Sequence, residues 1–166
     1  DLSRLGLDRA AEHGDALRLG SMMNLERVWQ ACVERSKAHP PLGGLARALA
    51  EDMPETLRNT FTLGDLLVER DPQSVTLTLL LALDARIAVA GADAPLSLTE
   101  WLASGDAAWH ALVTRVSVSR GPAWAAVVFQ KVARTPADAP IVGAMAVAWL
   151  DGKARHTGLA LCGVAP

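Results

Sequence analysis

The sequence predicts an α+β fold, on three observations. Apolar residues recur at helical spacing through much of the first hundred residues. From Trp109 onward the period changes to two. Asp151-Gly152 then marks a tight turn between two strand-like runs.

The elements follow in order. Residues 16–21 read as a short strand. Asn24 can cap a helix, with Glu26 in its first turn and Leu25, Val28, Trp29, Cys32 and Val33 on one face. Arg35 and Lys37 suit its carboxyl end, and His39-Pro40-Pro41 blocks its continuation. Leu42, Leu45, Ala46 and Leu49 form the apolar face of a second helix. Residues 51–72 contain Pro54, Gly64 and Pro72 and sustain no period, which predicts a long loop. Residues 73–83 are apolar on most sides, the pattern of a buried helix. A strand over 86–90 and a short helix over 98–103 carrying Trp101 come next.

Strands are expected over 109–118, 123–132, 141–150 and 154–162. In the third of these Ile141, Met145, Val147 and Trp149 alternate with Ala144, Ala146 and Ala148. That alternation predicts a core on the large side and a closely packed neighbour on the small side. The change of character near Gly121 predicts a division into residues 1–120 and 121–166.

With 166 residues and 51% hydrophobic content, the chain can bury a real core. A formal charge of -2, no basic run and no tyrosine argue against binding nucleic acid or an anionic membrane surface. No apolar run approaches the roughly 18 residues of a membrane-spanning helix, so no membrane insertion is expected. The absence of a signal-peptide pattern points to a cytoplasmic location. Neither end has the polar character of a natural tail, which suggests that both are cuts.

No catalytic constellation is present. The chain has no GxSxG elbow, no HExxH and no P-loop lysine motif. Cys32 and Cys162 lie far apart and read as buried thiols in a reduced compartment. His13, His39, His110 and His156 have no metal-ligand spacing and read as surface or packing residues. The five tryptophans read as core. Glu55, Asp65, Glu69 and Asp71 lack calcium-loop order and read as a solvated acidic loop. Thr62-Leu63-Gly64 joins a hydroxyl to a glycine that would let backbone N–H groups approach a phosphate. Taken alone, the tripeptide reads better as an ordinary turn.

In order along the chain, however, the segments resemble a family. Leu19-Gly20-Ser21-Met22-Met23-Asn24-Leu25 resembles an IGAxxTL segment. Leu57-Arg58-Asn59-Thr60-Phe61-Thr62-Leu63-Gly64 resembles a QxRNxxTIGGN loop. Lys131-Val132-Ala133-Arg134, Asp138 and Ile141-Val142-Gly143 resemble KxxRRxxDxxIVG. Cys162-Gly163-Val164-Ala165-Pro166 resembles GGVAP, and Asp1-Leu2-Ser3-Arg4-Leu5 resembles the turn before the second strand. The set is similar to the FAD-binding medium subunit of the molybdenum hydroxylases, the xanthine dehydrogenase and carbon monoxide dehydrogenase group.

The resemblance implies the second subdomain of a PCMH-type FAD-binding fold, followed by the antiparallel sheet that begins the flavoprotein carboxyl-terminal domain. It implies FAD, with Thr62, Leu63, Gly64, Asp65 and Leu66 against the pyrophosphate and Lys131 near the isoalloxazine ring. It also implies an iron–sulfur subunit and a molybdenum-cofactor subunit as partners, with electrons passing from the clusters through the flavin to an acceptor. The family's first glycine loop would lie upstream of Asp1. The second is altered here, since Asp65 and Leu66 stand where TIGGN has Gly and Asn, and Val75 stands where the family has an aspartate. An aspartate beside a pyrophosphate is repulsive. The alternative implied is therefore a flavin-free scaffold or subunit-interaction module of the same family.

Overall fold

The structure is a computed structural model that describes residues 6–105, 111–135 and 138–164. The expectations for residues 1–5, Trp109, His110, Ala165 and Pro166 lie outside those residues.

Two antiparallel sheets and six short helices make up the described chain. The strands are β1 (Ala10–His13), β2 (Ala16–Gly20), β3 (Arg86–Val89), β4 (Leu96–Ser97), β5 (Val113–Ser119), β6 (Ala126–Val132), β7 (Val142–Asp151) and β8 (Ala154–Cys162). The helices are α1 (Leu25–Arg35), α2 (Pro40–Asp52), α3 (Glu55–Arg58), α4 (Leu63–Glu69), α5 (Val75–Ala82) and α6 (Leu98–Ala103). The first sheet has the order β1-β2-β5-β3-β4 and the second β6-β7-β8. The α+β expectation therefore holds, and the change in character near Gly121 falls between the last strand of one sheet and the first of the other.

Local signals explain most elements. Asn24 caps α1 by accepting the Arg27 N–H at 2.9 Å, and Leu25, Val28 and Cys32 are buried beneath it. Pro40 opens α2 at the position where a missing N–H costs nothing. Ser74 caps α5 and Ser97 caps α6. The β7–β8 hairpin pairs Asp151 with Ala154 across Gly152 and Lys153, and Gly152 has φ of 56° at the first loop position.

Residues 51–72 correct the expectation of a long loop. Instead, α2 runs on to Asp52, and α3 and α4 follow. Both of these helices are too short to show a hydrophobic period, and their starts are set by Pro54 and by the Thr62 cap.

The hydrophobic core is continuous from the first sheet to the second. Leu17, Leu19, Ile87, Val116 and Val118 supply the buried face of the first sheet. Helix α5 is buried on nearly every side, packing on α2 and α6 and on β7 and β8 of the second sheet. Contact with β8 is very close at Gly158, where an added Cβ would lie 1.8 Å from the Ala82 carbonyl oxygen. Met145 and Val147 point into this core from β7, as the large side of the alternation predicts. The small side is different: Ala146 and Ala148 are exposed beside Val128, Leu159 and Leu161, so no neighbour covers them among the described residues.

Trp101 is buried, but Trp124 is 71% exposed and Trp29 and Trp149 are half-buried, so the tryptophans are not uniformly core. Both cysteines are free and buried, as expected.

Candidate functional site

The segment Thr62–Leu66 is the end of a connection that becomes the first turn of α4. It lies along the β2–α1 turn and is tied to it by main-chain bonds. Leu25 N–H donates to Phe61 O at 2.9 Å, Leu63 N–H to Met23 O at 2.9 Å and Gly64 N–H to Ser21 O at 2.8 Å. Gly64 eases this approach, because a Cβ there would sit a tight 3.2 Å from the Ser21 oxygen.

Asp65 closes a capping box with Thr62. Its Oδ2 accepts the Thr62 N–H and the Thr62 hydroxyl at 2.8 Å each, and its own N–H donates to Thr62 Oγ1 at 3.2 Å. Leu66 N–H donates to Thr62 O at 3.3 Å. Leu63 and Leu66 are buried in the core, and only Asp65 of the five is exposed. Every N–H from Thr62 to Leu66 thus already has an acceptor within the chain.

A diphosphate does not fit this segment as folded. It would need free N–H donors, and none of the five is free. It would also face the Asp65 carboxylate, which adds repulsion. In sequence, Asp65 reads only as damage to a glycine loop. The structure assigns it a positive role as the residue that fastens the helix start.

The remaining site residue expected from the sequence, Lys131, projects from β6. Its Nζ pairs with Glu51 at 2.6 Å and donates to Asp138 O at 3.3 Å, with the side chain 15% exposed. Lys131 and Leu66 line one cavity of about 300 Å³, together with Glu51, Glu69 and Asp71. Thr62, Leu63, Gly64 and Asp65 do not line it. Two of the six expected residues therefore meet at a cavity whose charged border is mainly acidic.

Asp52 was missed at the sequence level. Its carboxylate accepts the Ser74 hydroxyl at 2.7 Å and the N–H groups of Val75 and Thr76 at 2.8 Å each. It satisfies the first turn of the buried helix from another element, and no local spacing signals such a cap. Val75, at the family's aspartate position, is buried. Arg58 is buried too, donating to Glu26 at 2.8 Å and to Met53 O at 2.8 Å, with its guanidinium 5.3 Å from the centre of the Trp29 ring. Among the described residues no group of three His, Cys, Asp or Glu could hold a metal ion, and no helix is long and apolar enough to cross a membrane.

The described chain is thus a mixed domain with a five-stranded antiparallel sheet, a helix start clasped to the β2–α1 turn and a second, three-stranded sheet. The chain belongs to the family described as the FAD binding domain in molybdopterin dehydrogenase, which matches residues 1–118. The family's cofactor is FAD. Solved structures agree on the fold. Carbon monoxide dehydrogenase from Hydrogenophaga pseudoflava, in a form lacking the Mo-pyranopterin moiety of the molybdenum cofactor, superimposes with a TM-score of 0.76 at 20% identity, over 96% of this chain and 56% of that one. Quinoline 2-oxidoreductase from Pseudomonas putida 86 gives 0.74 at 22% identity, over 95% and 55%. Reconstituted CO dehydrogenase from Oligotropha carboxidovorans gives 0.76 at 16% identity, over 96% and 56%. The chain therefore spans little more than half the length of these relatives. No curated protein sequence matches it.

Proposed function

We propose that the chain serves as the FAD-family electron-transfer domain of a molybdopterin-dependent dehydrogenase. Its partners would be an iron–sulfur subunit and a molybdenum-cofactor subunit. The observation that carries this reading is the family match over residues 1–118, together with a fold shared with carbon monoxide and quinoline oxidoreductases. The lack of an acid–base or nucleophilic constellation in the sequence accords with it, since in such a domain the cofactor supplies the redox chemistry. The division into a PCMH-type part, residues 1–120, and the start of a carboxyl-terminal domain, residues 121–166, belongs to the same proposal. Co-purification tests it: the chain, tagged and expressed from its native locus, should bring down iron–sulfur and molybdenum subunits. Recovery of the chain without either would refute the reading.

One observation favours a second reading, a flavin-free scaffold of the same complex. The Thr62–Leu66 donors are all engaged, and the Asp65 carboxylate caps the same turn. The two readings share their partners and differ in flavin content. Flavin analysis of the co-purified assembly separates them.

A further inference from the structure

A trough of about 690 Å³ lies along α2, between α1 and the first strand of the second sheet. Three periodic stripes line it. Helix α1 contributes Trp29 and Val33, one turn apart. Strand β6 contributes Val127 and Phe129, two residues apart on its more buried face. The floor is the α2 stripe that runs from Pro40 through Gly43, Gly44 and Arg47 to Glu51, roughly 16 Å of helix. None of the residues Thr62–Leu66 lines this trough.

Two glycines bring the walls down to the floor. A Cβ on Gly43 would sit 3.2 Å from the Ser36 Cβ at the end of α1, and one on Gly44 would sit 2.9 Å from the Val127 Cγ1. Arg47 follows one turn later on the same stripe. Helical side chains lean toward the amino end, so Arg47 rises over these glycines, between the two walls. The walls are apolar and partly open: Val33 is 40% exposed, and Trp29, Val127 and Phe129 are half-buried. The Arg58 guanidinium lies 5.3 Å from the centre of the Trp29 ring and holds that wall in place.

Only two of the residues lining the trough carry a charge. Glu51, at its far end, is neutralised by Lys131 at 2.6 Å. Arg47 has no ion pair among the described residues. The trough therefore joins apolar walls to one uncompensated guanidinium. That combination attracts an apolar body ending in a single negative charge and repels a cation. Its course along one helix suits a slender chain laid lengthwise better than a broad ring system.

We propose that this trough binds a fatty acid. The acyl chain lies between Trp29 and Val33 on one side and Val127 and Phe129 on the other, and Arg47 takes the carboxylate. Calorimetric titration of the 166-residue chain with dodecanoate tests this, and saturable binding is expected. Arg47→Gln, at an exposed position, should weaken that binding about tenfold, the loss of one charge-assisted hydrogen bond. Val33→Glu, also at an exposed position, plants a like charge in the wall and should weaken it about tenfold or more. Leu159→Glu, on the bare outer face of the second sheet, should leave it unchanged. Near-ultraviolet circular dichroism checks that the variants stay folded. No saturable binding of dodecanoate at about millimolar concentration would overturn the proposal. So would equal affinity for dodecyltrimethylammonium, which has the same chain and the opposite charge, or a loss of binding in Leu159→Glu alone. A dimer in sedimentation that Val33→Glu dissociates would put a second copy in the trough and overturn it as well. Failure of the chain to retain FAD leaves this site standing, because the Thr62–Leu66 segment lies outside the trough.

Discussion

The Asp65 carboxylate accepts both the backbone N–H and the hydroxyl of Thr62, at 2.8 Å each, and so locks the start of α4. Gly64 N–H, bonded to Ser21 O at 2.8 Å, ties the same turn to the end of β2. A segment that resembles a phosphate loop in sequence is, in this chain, a clasp. Loss of the cap should therefore show in stability. Thr62→Ala and Asp65→Ala are each expected to cost about 1 kcal/mol, and the double variant only slightly more because both residues serve one motif. Urea unfolding of the parent chain and these variants measures this.

Arg58 and Glu26 make a buried ion pair with side-chain exposures of 9% and 10%. Removing one partner strands the other charge. Arg58→Ala is expected to destabilise the fold by about 3 kcal/mol or more, whereas replacing both partners with apolar residues of similar size should recover much of the loss. Thermal unfolding of the single and double variants decides between a charge penalty and lost packing.

Gly158 lies against the Ala82 carbonyl so closely that a methyl group cannot fit, and the obstacle is backbone. Gly158→Ala must push α5 away from β8. The expected cost is about 3 kcal/mol, at the upper end of overpacking effects. Denaturant midpoints measure it, with Gly152→Ala in the hairpin as a strained but uncrowded comparison.

Two groups give the stability a pH dependence at opposite ends of the scale. Bonds from the Ser97 backbone and hydroxyl hold the Glu100 carboxyl below its ordinary value. That contribution is present above the ordinary carboxylate range and disappears as pH falls through the lowered value. Burial pushes the Cys32 thiol up from 9.0 to about 12. Its contribution is complete below 9.0 and is lost as pH rises toward 12. Glu100→Gln is expected to flatten the acid limb of a Tm-against-pH curve, and Cys32→Ala the alkaline limb.

Much of this was legible in the sequence where the signal is local. Asn24 and the apolar stripe behind it define α1, Leu98–Ala103 matches its expected bounds, and Asp151-Gly152 marks the hairpin. Several of the misses arise because the partners are distant in sequence. Asp52 caps α5 from more than twenty residues away. The short helices α3 and α4 are stabilised by contacts that no hydrophobic period records. Trp124 is held on the surface by the Leu150 carbonyl, and composition alone would have buried it. Asp65 is a miss of another kind, because Thr62 lies only three residues before it and the pair has the local spacing of a capping box.

Flavin content after saturation is the decisive measurement for the Thr62–Leu66 clasp. The 166-residue chain, incubated with excess FAD and then separated from free cofactor, is expected to emerge colourless and without flavin fluorescence, because the donors of this segment are already engaged. A yellow protein holding one FAD per chain would show that the clasp opens to a diphosphate after all.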